Sequence, residues 1–229
     1  MIERLIQDNP EFHEYKGVPT SWSVHPDTLR FLYELLQPGM TTLETGCGQT
    51  TVVFSIANAT HTCITPNKAE MSRIRAYCHK LNLPENIRFV PESSDAALPC
   101  GEDIPLELDM VFIDGAHRFP LPIIDWYYTA PRLKNGGFVA IDDYTMPSVR
   151  VLFDFLCMET EWKQVRISEN TAFFEKLGDP YIDFEDDWQH QRINLAFKKE
   201  TFDPKPESFR MKYVPLELMK QILKRFKKG

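Results

Sequence analysis

The sequence predicts an α/β fold: a doubly wound, mostly parallel seven-stranded sheet with a C-terminal antiparallel hairpin. Three observations carry this. Short apolar runs alternate with helix-period segments from residue 25 to about residue 158, the pattern of parallel strands covered by helices on both faces. The last two strand candidates, "WKQVRI" and "TAFFEKL", are joined by a gap too short for a crossover helix, so they pair antiparallel. The 229 residues suffice for one such domain with embellishments and fall short of two.

In chain order, "HPDTLRFLYELLQPG" predicts a helix. Leu29, Leu32, Tyr33 and Leu36 recur at helical spacing, Pro26 suits its first turn, and Pro38-Gly39 ends it. "TTLET" is the first strand of the parallel region, "TTVVFSIAN" a helix and "HTCIT" the second strand. "NKAEMSRIRAYCHKLNL" is a helix with Met71, Ile74, Cys78 and Leu81 on one face, and Asn67 and Glu70 have the spacing of an N-cap and its reciprocal partner. "NIRFV" and "LDMVFID" are the third and fourth strands, "PLPIIDWYYTAPRL" is helical, "GGFVAID" is the fifth strand and "PSVRVLFDFLCME" the next helix. The expected organisation is a cap segment over 1–24, a core domain over 25–177, and an extension over 178–229 ending in the helical "PLELMKQILKRFKK".

A net charge of −7 argues against nucleic acid as a partner of the whole domain. The charge is uneven, with acids crowding residues 179–188 and a local +6 over 198–229. The basic amphipathic stretch 216–228 has the character of a membrane-surface helix. The expectation is instead that it packs its apolar stripe on its own domain, near the acids. Five cysteines, odd in number and without a C-x-x-C pair, favour a reducing compartment. No secretory apolar core opens the chain and no run of 18 apolar residues occurs, so a cytoplasmic protein without a membrane span is expected.

Chemistry concentrates at strand ends. "TTLETGCGQTT" places Gly46 and Gly48 at a strand-to-helix turn, where backbone can approach a ligand beside free N–H groups. Glu44 sits late in that strand, where an acid is costly without a partner. Asp114 ends the fourth strand with His117 three residues on, and Asp142 and Asp143 end the fifth. All point to the crevice where open α/β sheets bind ligands.

"ETGCG", an acid followed by x-Gly-x-Gly, resembles motif I of the class I S-adenosylmethionine-dependent methyltransferases. The resemblance runs over about residues 25–177 and includes the closing hairpin. "LDMVFIDGAH" and "LKNGGFVAIDD" are similar to the fourth and fifth strands of small-molecule members, including the catechol and caffeoyl-CoA type. It implies a Rossmann-like methyltransferase fold with S-adenosylmethionine as cofactor, held by Glu44, Thr45, Gly46, Gly48 and Thr50 at the first turn. Thr65 and Asn67 would follow the second strand, Ser94 and Asp95 the third, and Asp114 would end the fourth. Thr65 departs from the family, which usually has a ribose-binding acid there; Asn67 is read equally as a helix N-cap. Leading segments in the family wall the acceptor site, which brings Trp22 and His25 forward. Cys47 has no paired base and is read as a small tolerated residue.

Three readings of the acids stay open. Asp114, Asp142 and Asp143 ligate Mg²⁺ or another divalent cation; His117, or Asp114 or Asp143, is the general base; or Asp142 or Asp143 caps the following helix while His117 satisfies a loop backbone. The expected activity is methyl transfer to a small-molecule oxygen or nitrogen, and a homodimer is left open. A noncatalytic nucleoside-binding member of the fold is the main alternative. A nicotinamide-dependent oxidoreductase is disfavoured by Thr51 at the third glycine position of the dinucleotide fingerprint. Gly46→Val is expected to remove cofactor binding while the protein stays folded.

Overall fold

The computed structural model describes residues 1–178 and 191–199, the side chains of 196–199 excepted. The chain divides into two compact units, Met1–Asp187 and Trp188–Gly229. Of the second, the described part is one helix, Arg192–Lys199. The acid-rich stretch from 179 and the basic helix expected over 215–228 lie outside the described residues.

The first unit opens with α1 (Ile2–Asp8), the short hairpin β1 (His13–Tyr15) and β2 (Val18–Thr20), and α2 (Pro26–Leu35). The sheet region follows as β3 (Thr41–Thr45), α3 (Gln49–Ile56), β4 (Thr60–Ile64), α4 (Lys68–Lys80), β5 (Ile87–Val90), α5 (Ser94–Cys100) and β6 (Leu108–Ile113). Then come α6 (Leu121–Thr129), β7 (Leu133–Ile141), α7 (Pro147–Met158), β8 (Trp162–Ser168) and β9 (Thr171–Lys176). The seven-stranded sheet has the order β5-β4-β3-β6-β7-β9-β8. The first five strands are parallel, and β9 pairs antiparallel with both β7 and β8. The expected doubly wound sheet with its closing hairpin is therefore the observed one.

Two apolar layers hold it. One face of the sheet packs Phe54, Ile74 and Phe112 with Leu5, Leu29 and Leu32 of the first two helices. The other packs Val111, Ile113 and Ile141 with Leu98, Leu152 and Leu156. From β3 the chain winds outward through β4 and β5, then returns to place β6 on the other side of β3. That reversal leaves a gap between the loops after β3 and β6, where open α/β sheets take ligands.

The pattern of residues 1–24 gave no elements, yet α1 and the hairpin form there. Lys16 and Gly17 both have positive φ, +52° and +80°, as a two-residue hairpin turn requires. The β3 to β9 elements match the expected ones, with β7 starting three residues before "GGFVAID".

Candidate active site

A cavity of about 930 Å³ lies over the ends of β3, β4, β6 and β7, within the range of small-molecule sites. Its floor begins at the glycine turn. Gly46 has φ +86°, and a Cβ there would lie 2.0 Å from the Asp114 carbonyl oxygen. The residue is thus glycine because the β3 and β6 loops touch, backbone against backbone. This corrects the expectation that a Gly46 side chain would only block the ligand's path. Gly48 has extended backbone, and a Cβ there would meet His13 Nε2 at 3.4 Å.

Glu44 and Thr45 are not among the residues that line the cavity. Glu44 is fully buried. Its carboxylate accepts from the Thr50 hydroxyl and from Thr51 Oγ1 at 2.5 Å, and the Gly48 N–H donates to Thr51 Oγ1 at 2.9 Å. The strand acid therefore fixes the first turn of α3, aiming that helix end rather than touching a ligand. His61 Nε2 lies 3.5 Å from the same carboxylate, and its ring stacks on Phe54. Glu44, His61 and Cys63 bring one ligand atom each within 4.8 Å of one another. Burial, the Cys47 thiol and the Glu44 charge push the Cys63 thiol well up. It stays protonated and donates to the Gly46 carbonyl, a poor metal ligand and a good interior hydrogen bond.

Thr65 and Asn67 both line the cavity. Asn67 Oδ1 accepts from the Ala69 and Glu70 N–H groups as the N-cap of α4. Glu70 does not return the cap, as its spacing predicts; its carboxylate instead meets His13 Nδ1 at 3.1 Å and accepts from Cys47 Sγ at 3.4 Å. That contact pins the β1–β2 hairpin beside the glycine turn. Ser94 and Asp95 face the cavity from the start of α5.

On the far side, His117 sits between two acids, Nε2 at 3.3 Å from Asp114 Oδ1 and Nδ1 at 3.5 Å from Asp143 Oδ2. Its carbonyl accepts from the Ser148 hydroxyl, which ties the loop to α7. The Asp114 contact, reinforced by Asp143 and Asp142, raises the imidazole's pKa against the opposing effect of burial. Burial, with Asp142 beside it, pushes Asp114 up to about 8, offset in part by His117. Asp142 is also raised, chiefly by burial, and accepts from the Thr171 hydroxyl. The cluster therefore holds protons near neutrality and releases them on the alkaline side.

The three aspartates do not form a ready cation cage. Among the described residues, the group whose ligand atoms lie within 4.8 Å of one another is Glu44, His61 and Cys63, not Asp114, Asp142 and Asp143. Asp114 and Asp143 close on an imidazole instead. S-adenosylmethionine fits better: the cavity joins a helix N-terminus, the exposed turn backbone and polar side chains after β4 and β5.

A protein-family model described as a methyltransferase domain matches residues 43–144, from β3 past the end of β7. Residues 43–144 resemble a methyltransferase domain. Solved structures agree on the fold. The O-methyltransferase TomG from Streptomyces achromogenes, involved in tomaymycin synthesis and in complex with S-adenosylmethionine, is 15% identical with TM-score 0.60, covering 76% of this chain and 90% of that one. A Staphylococcus aureus protein proposed to be a caffeoyl-CoA O-methyltransferase is 18% identical with TM-score 0.58, covering 76% and 91%. An rRNA methylase from Streptococcus thermophilus is 15% identical with TM-score 0.51, covering 66% and 95%. No curated protein matches in sequence. The resemblance to class I S-adenosylmethionine-dependent methyltransferases thus holds, and the matched stretch contains the elements that line the cavity from β3 to β7.

Asp125 of α6 was not singled out by the sequence, where it reads as one polar residue in an apolar helix. It is fully buried, and neither carboxylate oxygen has a hydrogen-bond partner. A Cβ on Gly115 would lie 3.4 Å from Asp125 Oδ2, so the carboxyl underlies the loop after β6. Burial pushes its pKa up to about 6. A raised acid pKa favours the folded state below the unfolded value and loses that contribution as pH rises through about 6. Two pKa units correspond to about 3 kcal/mol. Asp125→Asn is accordingly expected to raise Tm at pH 7.5 and to flatten the Tm profile between pH 4 and pH 7. An unchanged profile in a thermal scan would contradict this.

Proposed function

We propose that the protein transfers a methyl group from S-adenosylmethionine to an oxygen or nitrogen of a small molecule. The observation that carries this is the position of His117. It lines the same cavity as the glycine turn, and its imidazole is held by Asp114 and Asp143.

The cofactor, when bound, supplies an electrophilic methyl on a sulfonium. The chain's own groups do the rest. Gly46, Gly48, the N-terminus of α3, Thr50, Thr65, Asn67, Ser94 and Asp95 would hold the cofactor, since all line the cavity. Asp114 and Asp143 orient the His117 ring. His117 would take the proton from the acceptor's oxygen or nitrogen, freeing its electron pair. No step here runs through a metal. Five unpaired cysteines support a cytoplasmic protein, and among the described residues no helix is long and apolar enough to cross a membrane.

A second reading, a nucleoside-binding protein without catalysis, is favoured by one feature. Thr65 stands where the family has an acid, and its hydroxyl is already engaged by the Asn67 N–H at 3.4 Å. Incubation with methyl-labelled S-adenosylmethionine and a panel of phenols and amines separates the two. Label is expected in a small-molecule product; cofactor binding without transfer to any acceptor would favour the second reading. Excess chelator is expected to leave transfer intact, and its loss with recovery on adding Mg²⁺ would restore the metal reading.

A further inference from the structure

The cavity has a one-sided charge. Six carboxylates line the cavity, from Glu70, Asp95, Asp114, Asp142, Asp143 and Glu169, and among the described lining residues there is no lysine or arginine. The three lining histidines are His13, His25 and His117. Asp114 holds a proton near neutrality, yet the remaining carboxylates still outnumber a charged His117 and a bound sulfonium together. A low-dielectric cleft of one sign focuses its field and repels ligands of that sign.

The same chamber carries an open aromatic surface. Trp22 is 60% exposed although it lines the cavity. Its indole is held against His13, centroids 5.3 Å apart, and Tyr15, at 5.9 Å. His13 is itself anchored by Glu70. Trp22 has φ +37°, an uncommon backbone state for a bulky residue and a pointer to function where neighbours enforce it. Met146 faces the cavity, 41% exposed. An indole beside carboxylates suits a positively charged, ring-bearing ligand, since tryptophan is the strongest of the cation–π partners.

We propose that the acceptor is a cationic aromatic amine seated on Trp22, and that the site rejects coenzyme A thioesters and nucleic acid. This rests on the methyl-transfer reading above. It differs from the caffeoyl-CoA and rRNA acceptors named for two proteins of the same fold, both of which bring phosphates that this wall would repel.

The test uses the full chain and a charge series on one ring: tyramine, 4-ethylphenol and 4-hydroxyphenylacetate, with coenzyme A and a ribonucleotide hexamer as further probes. S-adenosylhomocysteine is titrated first by calorimetry, and each probe is then titrated into the saturated protein. Affinity is expected to fall from tyramine to 4-ethylphenol to 4-hydroxyphenylacetate, at least tenfold across the series, with no binding of coenzyme A or the hexamer. Trp22→Ala should weaken tyramine about tenfold, Trp22→Phe should restore most of it, and the S-adenosylhomocysteine affinity should change less than twofold in both. A flat or reversed order, coenzyme A binding as tightly as tyramine, no tyramine binding, or Trp22→Ala without effect would each overturn the proposal. Absent S-adenosylhomocysteine binding would instead strike the underlying methyl-transfer reading.

Discussion

Gly46→Val is expected to yield little folded protein. Its Cβ would meet the Asp114 carbonyl oxygen at 2.0 Å, and neither backbone can move without separating β3 from β6. The positive φ of +86° adds strain for any branched side chain. Together these cost at least about 3 kcal/mol, a large share of the stability of an ordinary domain. Circular dichroism and thermal scans read the outcome. Gly48→Ala is the contrast: its backbone is extended and the Cβ would meet only the His13 ring at 3.4 Å. It should fold with a stability change within about 1 kcal/mol. A folded, stable Gly46→Val protein would contradict the account of the turn.

His117→Asn should lower kcat by about 10² to 10⁴-fold while S-adenosylhomocysteine affinity stays unchanged, because only the proton transfer is lost. The pH dependence gives the sharper reading. The imidazole pKa is raised by Asp114, and Asp114 titrates near 8. The base acts in its deprotonated form, so kcat/KM is expected to rise with pH through the neutral-to-alkaline range, with a midpoint above the ordinary histidine value. His117→Asn should remove that rise. A rate already flat at pH 6, or a variant with wild-type kcat, would rule His117 out as the base.

The sheet was legible because its signals are local and repeated. Continuous apolar runs such as "LDMVFID", helical spacing in α2 and α4, and the short link between β8 and β9 each point to one outcome. The hairpin β1–β2 was not legible, since three-residue strands are too short for a period and its stability comes from distant partners, His13 on Glu70 above all. Among the expected site residues, those on loops after strands face the cavity, and the two in the strand itself do not. Period-2 alternation cannot show that Glu44 is consumed by Thr50, Thr51 and His61, because the three partners converge only when α3 and β4 fold over it. Asp125 was hidden for the same reason. Its burial depends on α6 lying against the loop after β6, which no single segment encodes.

The central claim is that this cavity binds S-adenosylmethionine and its product. Calorimetric titration of the full chain with S-adenosylmethionine, S-adenosylhomocysteine and NAD tests it directly. The account predicts one site per chain for the first two and no heat with NAD; NAD binding alone, or silence with all three, would contradict it.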